Sequence, residues 1–469
     1  MTRASAFGST FLEMGSDKLC VSLTPETLED VFSSDVSGVD CVEVRLDYLK
    51  DPQQSRDVRW DRLPVPVIAT CRGRERGGLF SGNIEDEIAI LQTAARNGAR
   101  YVDIDYRYAR PVSPAEIIAS YHNFEETPAN LLAIVDRAQA GPAQIAKVAT
   151  QANSWADNRR LLDLLARPNA KPLIVTGMGD IGQITRIIGP SRGSFLSYAA
   201  STRQAAPGQL SVAEMLDTYK FRRIGRSTQL LGILGMPVGH SLSPVLHNRA
   251  FELAGVDFAY VKLPAPDLKD FMENARAIGL TGFSVTIPHK VAIVPYMSRL
   301  TEAASAVGAV NTVWSEDGKW IGDNTDVRGV EAALQSVGFS PPGKKVVIMG
   351  RGGGAKAAAA AVQGASEVSL LSRNQVADGG RTQCDLLINA TPVGMYPNVD
   401  QSPIEGHVSA DVVFDMVYNP PVTTLLKMAK SQGKTTVPGT TMFVAQAARQ
   451  FEIWTKQSAP REVYAANPQ

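Results

Sequence analysis

The sequence predicts an α/β protein in which an eight-stranded (β/α)8 barrel is followed by a second, two-lobed α/β unit. Three observations predict this fold class. Short apolar runs alternate with helical stretches about eight times before residue 205, a short polar bridge follows at 222–228, and a strand leads into a glycine-rich turn near residue 350. Repeated strand–helix alternation is typical of parallel sheets covered by helices.

The composition is that of an ordinary globular protein. Of its 469 residues, 44% are hydrophobic and 20% are charged, and 47 Lys and Arg balance 47 Asp and Glu. Because there is no net charge to attract nucleic acid or an anionic membrane, we expect small-molecule partners. No apolar run approaches the ~20 residues of a membrane span. The cysteines show no C-x-x-C pair, so we expect reduced, buried thiols in a cytoplasmic protein. We further expect a monomer or a weak homodimer.

The predicted barrel strands are short apolar runs bounded by polar or helical segments. Between the third and fourth runs, Ile84–Gly98 has helical spacing, and Gly98 is a plausible helix end. The middle of the barrel is ambiguous, because Ser120–Phe124 and Asn130–Val135 both read as a strand. The other runs are Leu19–Leu23, Cys41–Leu46, Pro66–Cys71, Tyr101–Tyr106, Ile145–Ala149, Pro172–Val175 and Ser194–Ala199. Leu210–Arg223 is expected to form the last helix.

Ionisable residues stand where several of these strands end, which is where barrels of this kind assemble their sites. Lys147 differs from the rest because it lies within an otherwise apolar run. Burial there would lower the pKa of the lysine and favour the free amine, which is a nucleophile. A lysine whose amine reaches solvent past the strand is the alternative, and the sequence alone leaves both open.

The second unit has polar motifs at the ends of apolar strands, which predicts a cleft. The run Gly235–Asn248 follows a strand and leads into a helix, with Ser243 expected as its cap and Pro244 in its first turn. Amides and hydroxyls at such a helix start favour an anion. Further polar motifs follow at Gly282–Lys290, Gly308–Thr312 and Gly322–Asp326.

A dinucleotide-binding lobe is predicted after residue 343. Lys344–Met349 reads as a strand, Gly350–Gly354 as a glycine-rich turn and Ala355–Gln363 as a helix, the order that lets backbone amides approach a pyrophosphate. Arg373 follows the next strand, where an arginine suits the 2′-phosphate of NADP. Only about ten residues then precede the strand Asp385–Asn389. We therefore expect five strands, one βα unit fewer than usual.

The barrel motifs resemble those of type I 3-dehydroquinate dehydratases over residues 18–225. E-V-R-L-D, T-C-R, S-Y-H-N-F, I-A-K-V-A and A-P-G-Q occur in the order of that family, at Glu43–Asp47, Thr70–Arg72, Ser120–Phe124, Ile145–Ala149 and Ala206–Gln209. The resemblance implies that Lys147 forms a Schiff base with the C3 ketone of 3-dehydroquinate. It implies that His122 removes the C2 proton and protonates the departing C1 hydroxyl. The residues it assigns to substrate binding are Arg186 for the carboxylate and Glu43, Arg45, Arg72 and Gln209 for the ring oxygens.

Two positions depart from the pattern of that family. Arg76 stands where a glutamate usually contacts the catalytic histidine, and Ala205 replaces a serine of the closing loop. A cation beside His122 would disfavour its imidazolium form. We therefore expect either that Glu75 takes the place of the missing carboxylate or that proton transfer is slower.

Residues from Leu230 to about Ala459 resemble shikimate dehydrogenase. The motifs above are joined by N-A-T-P-V-G-M (Asn389–Met395), F-D-M-V-Y-N-P (Phe414–Pro420) and G-T-T-M-F-V-A-Q-A (Gly439–Ala447). The resemblance implies Lys290 and Asp326 as the catalytic pair, with His289 as a structural neighbour. The substrate-binding residues it implies are Ser241, Ser243, Thr286, Asn311, Tyr418 and Gln446. The cofactor-binding residues it implies, for NADP(H), are Gly350, Gly352, Gly353, Gly354, Ala355, Ser372, Arg373, Asn389, Thr391, Met395, Gly439 and Met442.

Together these resemblances predict a bifunctional chain of the shikimate pathway, without a metal. The expected domains are a TIM barrel at 1–225, a substrate lobe at 229–335 with a C-terminal helix at 440–460, and a Rossmann-like NADP lobe at 336–439. Two alternatives stay open. A regulator with inactive sites is disfavoured because Lys147, His122, Lys290 and Asp326 are all present. An enzyme acting on quinate with NAD is disfavoured by Arg373 and the two serines.

Overall fold

The computed structural model describes residues 18–201, 205–372, 375 and 383–464. The chain forms two compact units, one of residues up to 228 with 269–278, and the other of residues 229–268 with 279 onward. The segment 269–278, which we expect from the sequence in the substrate lobe, therefore groups with the first unit. Within the first unit, the Asp270 carboxylate accepts hydrogen bonds from the backbone N–H groups of Trp155 and Ala156 at 2.6 and 3.1 Å.

The first unit contains an eight-stranded parallel sheet that curls into a nearly closed barrel. Its order is β7-β6-β5-β4-β3-β2-β1-β8, so neighbours in sequence are neighbours in space and β8 returns to β1. At the seam between β7 and β8, Phe195 N–H donates to Leu173 O at 2.8 Å. The strands are β1 (Leu19–Leu23), β2 (Cys41–Arg45), β3 (Val67–Thr70), β4 (Tyr101–Asp105), β5 (Glu116–Asn123), β6 (Ile145–Gln151), β7 (Leu173–Met178) and β8 (Ser197–Ala200).

The fifth strand contains Ser120 and His122, so the first of the two alternatives for the middle of the barrel is the strand. The competing segment is a helix, Leu131–Ala140, with buried residues Leu131, Ile134, Val135 and Ala138. Their spacing of three and four residues places them on one helical face. A short apolar run fits both the helical period of about 3.6 residues and the strand period of about two residues, which explains why the sequence left the choice open.

The helices of the first unit follow the strands as expected, except near its end. Ile84–Arg96 begins at an Asn83 capping box, and Gly98 follows it at φ +99°. The helix expected at Leu210–Arg223 is broken into a π turn, Glu214–Thr218, and a 3-10 turn, Phe221–Arg223, because Lys220 between them has φ +52°. The helices are α1 (Leu28–Ser33), α2 (Ile84–Arg96), α3 (Leu131–Ala140), α4 (Trp155–Ala166) and α5 (Gly179–Ile188).

The second unit begins with a six-stranded mixed sheet of order β10-β9-β11-β13-β14-β12. Its strands are β9 (Gln229–Gly235), β10 (Phe258–Pro264), β11 (Gly282–Val285), β12 (Arg299–Leu300), β13 (Thr312–Glu316) and β14 (Lys319–Asp323). The helices along this part of the chain are α6 (Ser243–Ala254), α7 (Leu268–Asn274), α8 (Glu302–Val307) and α9 (Asp326–Gln335). Most of α7 lies in the segment grouped with the first unit.

A five-stranded parallel sheet follows, as predicted, in the order β16-β15-β17-β18-β19. Its strands are β15 (Lys345–Met349), β16 (Glu367–Leu371), β17 (Cys384–Asn389), β18 (Ala410–Asp415) and β19 (Thr435–Pro438), with helices α10 (Gly353–Ala361), α11 (Thr424–Ser431), α12 (Gly439–Thr455) and α13 (Arg461–Tyr464). Helix α12 returns to the six-stranded sheet, where Phe443, Ala447 and Phe451 share a core with Leu231 and Tyr260.

All four cysteines are buried and free, as expected. In the part of the chain that the structure describes, every helix is too short or too polar to cross a membrane.

Candidate active sites

The barrel collects charged side chains on adjacent strands. Glu43 and Arg45 lie on β2, Arg72 follows β3, His122 lies near the end of β5, and Lys147 lies on β6. Parallel pairing puts Lys147 beside Ser120 and His122 beside Ala149. The carboxyl ends of the strands therefore bring together these five residues predicted from sequence.

Lys147 is buried, with 4% of its surface exposed, but it is not in an apolar environment. Its Nζ lies 2.8 Å from Asp103 Oδ2, 3.6 Å from Glu43 Oε1 and 3.1 Å from the Tyr198 hydroxyl. Lys147 is therefore buried, which is one of the two alternatives that the sequence left open, but its amine lies among charged and polar groups. Around Lys147, β6 is apolar along its own sequence, yet charged residues of other barrel strands meet Lys147 in the barrel interior.

Asp103 connects the site and was missed by sequence reasoning as a functional residue. Besides Lys147, its Oδ1 accepts from Arg72 at 3.0 Å and from Ser120 Oγ at 2.6 Å. Burial opposes its charge, but Lys147 and then Arg72 outweigh burial and hold the pKa of Asp103 far below its usual range. A signal existed, since Asp103 lies inside a buried strand run just as Lys147 does.

The His122 imidazole has a depressed pKa. Burial first, and then the cations Arg72 and Lys147, lower its pKa well below the usual 6.5. The ring stacks on Phe124 with centroids 6.2 Å apart. Phe124 in turn covers Gly77, where an added Cβ would lie 2.1 Å from the phenylalanine ring. A neutral imidazole can accept a proton, so His122 is suited to act as a base.

The Arg76 guanidinium forms ion pairs with two carboxylates. Its guanidinium lies 2.7 Å from Glu87 Oε2, and both side chains are buried, while Glu75 Oε1 lies 2.9 Å from Arg76 Nε. Glu75 therefore binds Arg76 and does not take the place of the family's glutamate. The cations that depress the His122 pKa are instead Arg72, Lys147 and Arg45. Ala205 contributes its backbone N–H, which donates to Gln209 Oε1 at 2.6 Å.

Arg186 is a buried cation for which the described residues provide no carboxylate partner. It is 2% exposed, its Nε has no hydrogen-bond partner among the described residues, and its terminal nitrogen makes a long 3.4 Å bond to Pro207 O. Burial lowers its pKa to about 10. An uncompensated guanidinium of this kind is suited to bind a carboxylate.

The remaining polar residues of the barrel site are pre-positioned by neighbours. Arg45 makes a two-pronged pair with Asp47 at 2.9 and 2.7 Å. The Glu43 carboxylate accepts from Ser22 and Thr70 at 2.8 and 2.9 Å. Gln209 lies 3.4 Å from Ser22 Oγ.

The second unit has its own charged pair, Lys290 and Asp326. Lys290 Nζ donates to Asp326 Oδ2, and Asn311 Nδ2 donates to Asp326 Oδ1 at 2.8 Å. Asn311 is fixed by Thr325, whose N–H donates to Asn311 Oδ1 at 2.7 Å. His289 Nε2 lies 2.8 Å from Ala265 O in a buried contact, in keeping with a structural role. The structure thus brings Lys290, Asp326 and Asn311 into one network.

The two serines after β9 lie among buried hydroxyls, but Ser243 is not the helix cap. Helix α6 begins at Ser243, its N-cap is Leu242, and Ser243 N–H donates to Ser241 Oγ at 3.3 Å. Pro244 lies in the first turn of the helix, as expected, but the helix begins one residue earlier than predicted. The Tyr418 hydroxyl bonds Ser241, and that of Tyr260 bonds Ser243 and Ser284.

Three other residues of the second unit that were predicted to bind substrate or cofactor contact backbone atoms or the core. Thr286 N–H pairs with Leu234 O at 2.8 Å, and Gln446 Nε2 donates to Phe443 O at 2.9 Å. Met442 belongs to the core cluster of the five-stranded sheet and packs against Gly329.

The glycines of the glycine-rich turn have different surroundings. Gly350 has φ +117°, which favours glycine. A Cβ added to Gly352 would meet no described atom within 4 Å, whereas one on Gly353 would lie 2.9 Å from Lys290 Cβ. On Gly354 it would lie 3.2 Å from Met416 Cε. Ala355 is fully buried in the core. Open space above Gly352, at the start of α10, fits a pyrophosphate.

The loop after β17 is fixed by buried polar bonds. Asn389 Nδ2 donates to Asp415 Oδ1 at 2.9 Å, and Asn389 Oδ1 accepts from Thr391 N–H at 3.0 Å. Met395 N–H donates to Pro392 O at 3.2 Å, and Gly439 is packed against Val417 O. Asn389 and Gly439 thus shape the lobe through protein contacts.

Ser372 ends β16 in a local turn, where its hydroxyl donates to Gln375 Oε1 at 2.7 Å. Arg373, the residue on which the choice of NADP over NAD depends, lies outside the described residues.

Fold and sites together define a chain with two enzyme units, a barrel with a buried lysine and a two-lobed dinucleotide-dependent unit. Family models agree with both. The model described as type I 3-dehydroquinase matches residues 19–226. The shikimate dehydrogenase substrate binding domain matches residues 233–313, and the shikimate 5′-dehydrogenase C-terminal domain matches residues 439–463.

The chain is similar to a relative with both activities in its name. The chloroplastic bifunctional 3-dehydroquinate dehydratase/shikimate dehydrogenase of Arabidopsis thaliana is 34% identical, over 98% of this chain and 86% of that protein. The shikimate dehydrogenase (NADP(+)) of Microcystis aeruginosa is 39% identical over 51% of this chain and 96% of its own. A solved shikimate dehydrogenase in complex with NADP+ is 35% identical, with a TM-score of 0.46, over 51% of this chain and 94% of its own.

The chain belongs to the family of bifunctional 3-dehydroquinate dehydratase/shikimate dehydrogenases. It is a shikimate-pathway enzyme that combines a lyase unit with an oxidoreductase unit, and its dehydrogenase relatives are NADP(+)-dependent.

Proposed function

We propose that the barrel dehydrates 3-dehydroquinate through a Schiff base on Lys147. The observation that carries this proposal is the buried Lys147 amine beside a histidine whose pKa is depressed. The amine attacks the C3 ketone and water leaves, which gives an iminium that accepts electrons from C2. His122 takes the C2 proton and then protonates the departing C1 hydroxyl. Arg186 binds the substrate carboxylate, and Glu43, Arg45, Arg72 and Gln209 contact the ring oxygens.

Borohydride trapping tests this proposal. Reduction in the presence of 3-dehydroquinate should add a stable mass to the peptide that contains Lys147. The Lys147→Ala variant should give no adduct and lose dehydratase activity. An adduct on another lysine, or none in the unsubstituted chain under turnover, would refute the assignment.

We propose that the second unit reduces 3-dehydroshikimate at the Lys290–Asp326 pair. When bound above the glycine-rich turn, NADPH supplies the hydride. Lys290 gives a proton to the C3 oxygen, and Asp326, held by Asn311, keeps the ammonium in place. Ser241 and Ser243 bind the carboxylate, while Thr286, Tyr418 and Gln446 line the substrate site.

Kinetics with both coenzymes and both substrate pairs test the specificity. We propose NADP(H) and shikimate because of Arg373 in the sequence, the two serines and the NADP(+) dependence named for the relatives. The Lys290→Met variant should lose kcat. A higher kcat/KM with quinate and NAD than with shikimate and NADP would favour the alternative.

We further propose a cytoplasmic monomer or weak homodimer with the domain boundaries given above, except that the segment 269–278 groups with the barrel unit. Four free, buried cysteines support a reducing compartment, although the Arabidopsis relative is named chloroplastic. Light scattering of the purified chain over a concentration series measures the oligomeric state, and a stable assembly larger than a dimer would contradict the proposal.

A further inference from the structure

Tyr198 contacts the Lys147 amine and has no role in the mechanism above. It lies on β8 and is 3% exposed. Its hydroxyl is 3.1 Å from Lys147 Nζ, and its ring centroid is 4.2 Å from the same atom. The ring packs in an apolar cluster with Ile68, Ile118 and Ile145. Phenylalanine would fill this space without a buried hydroxyl to satisfy, so packing alone does not account for the oxygen.

The direction of the hydrogen bond leaves the hydroxyl proton available. An ammonium group has protons and no lone pair, so Lys147 donates and the Tyr198 oxygen accepts. Among the described residues, Lys147 is the hydrogen-bond partner that the structure gives this hydroxyl. Its own proton can therefore be donated to an acceptor on the substrate.

Formation of the Schiff base requires two protons to move from nitrogen to oxygen. An ammonium R–NH3+ and a ketone give an iminium R–NH+=C and water, so the nitrogen loses two protons and the ketone oxygen gains both. At the carbinolamine stage this nitrogen and this oxygen are bonded to the same carbon. A hydroxyl in hydrogen-bond contact with Nζ is then also within reach of the oxygen.

We propose that Tyr198 is a further catalytic residue of the dehydratase, whose hydroxyl relays both protons from Lys147 to the ketone oxygen. In the first relay the C–N bond forms while the hydroxyl accepts a proton from nitrogen and gives its own to oxygen. In the second, the hydroxyl accepts another proton from nitrogen, and the N–H electron pair forms the C=N bond as the C–O bond breaks. The C–O electron pair leaves with oxygen, which takes the hydroxyl proton and becomes water. The reverse sequence hydrolyses the product iminium. The inference rests on the proposed nucleophile, Lys147.

The environment of Tyr198 agrees with a relay that begins and ends at the neutral phenol. Burial first, and then the charge of Glu43, raise the pKa of Tyr198 well above its usual 10. A free phenolate is therefore disfavoured. A relay needs none, because the hydroxyl accepts one proton as it releases another.

The Tyr198→Phe variant of the full chain tests the relay by rapid-quench borohydride trapping with 3-dehydroquinate. We expect the Lys147 adduct to form roughly 10- to 100-fold more slowly, a typical loss for removal of one proton-transfer group. As imine formation becomes rate-limiting, the kinetic isotope effect of deuterium at substrate C2 should fall toward one. A purely structural effect would not move the limiting step in this way.

The matched control is Tyr219→Phe. Tyr219 is also buried, and its hydroxyl has no partner among the described residues, so this variant should trap the imine at the rate of the unsubstituted chain. Reduction of added 3-dehydroshikimate by NADPH, measured in the same samples, should be unchanged in both variants. In the unsubstituted chain, D2O should slow imine trapping.

Trapping at the full rate in Tyr198→Phe with an unchanged isotope effect would overturn the relay, as would the lack of any D2O effect. Failure to trap any Lys147 adduct in the unsubstituted chain would instead refute the Schiff base itself. The two failures are therefore distinguishable.

Discussion

At the scale of single residues, protonation state decides what each group can do. Burial and the cations Arg72, Lys147 and Arg45 depress the pKa of His122 and so favour the neutral ring, whereas Lys147 and Arg72 stabilise the charge of Asp103. The cations and the carboxylate thus prepare a base and an ammonium side by side. Arg186 adds a buried positive charge whose Nε has no hydrogen-bond partner in the part of the chain that the structure describes.

The depressed pKa of His122 predicts the pH dependence of the dehydratase. A histidine whose pKa lies below 6.5 in the folded protein stays neutral, and thus basic, as the pH falls through 6.5. The kcat/KM profile reports groups of the free enzyme. We therefore expect kcat/KM for 3-dehydroquinate to hold through pH 6.5 and to fall only at lower pH. A single acidic limb at 6.5 would contradict the assigned environment of His122.

The depressed pKa of His122 also predicts how the stability of the folded chain changes with pH. Between the folded and unfolded pKa values of His122 the unfolded chain binds more protons, so this histidine makes the free energy of unfolding fall as the pH drops below 6.5. In urea titrations from pH 7 to pH 5, a His122→Gln variant should lose less stability than the unsubstituted chain. An identical slope in both would show that His122 titrates normally.

Substitutions at two neighbouring glycines should separate coenzyme binding from the chemical step of the dehydrogenase. Gly353→Ala would push a methyl group into the stem of Lys290, so we expect kcat of the dehydrogenase to fall on the order of tenfold to a hundredfold. Gly352→Ala would fill the open space at the start of α10, so we expect a higher KM for NADPH, by about tenfold, with kcat nearly retained. Equal effects of the two variants on KM and kcat would contradict this division.

At the scale of elements, the sequence predicted more of the scaffold than of the contacts. The barrel strands and the five-stranded sheet were predictable because apolar runs and glycine turns are local patterns. Asp103, Glu87 and Tyr198 were not recognised, because each acts on a residue far away in sequence, across strands or between a loop and a helix. Ser243 failed as a cap by one position, which is the usual uncertainty of helix ends.

The buried pair of Arg76 and Glu87 joins the loop after β3 to helix α2. Arg76→Glu alone would bury two carboxylates together, so we expect a loss of roughly 3–5 kcal/mol in the free energy of unfolding. Combining it with Glu87→Arg restores opposite charges and should recover most of that loss. Urea denaturation of the single and double variants measures the coupling, and additive losses would show that the two residues do not act as a pair.

At the scale of the whole molecule, the described residues that we assign to each site lie within one compact unit. Lys147, His122, Arg186 and Tyr198 all belong to the first unit, and Lys290, Asp326, Asn311 and the glycine-rich turn to the second. We therefore expect that single substitutions in the full chain can remove either activity and leave the other.

The most direct test supplies the purified full chain with 3-dehydroquinate and NADPH and follows NADPH oxidation and shikimate formation together. We expect one shikimate per NADPH in the unsubstituted chain. We expect Lys147→Ala to abolish this coupled reaction yet still reduce added 3-dehydroshikimate, and Lys290→Met to accumulate 3-dehydroshikimate. Coupled turnover by Lys147→Ala, or loss of both activities in a folded single variant, would contradict the assignment of two separate sites.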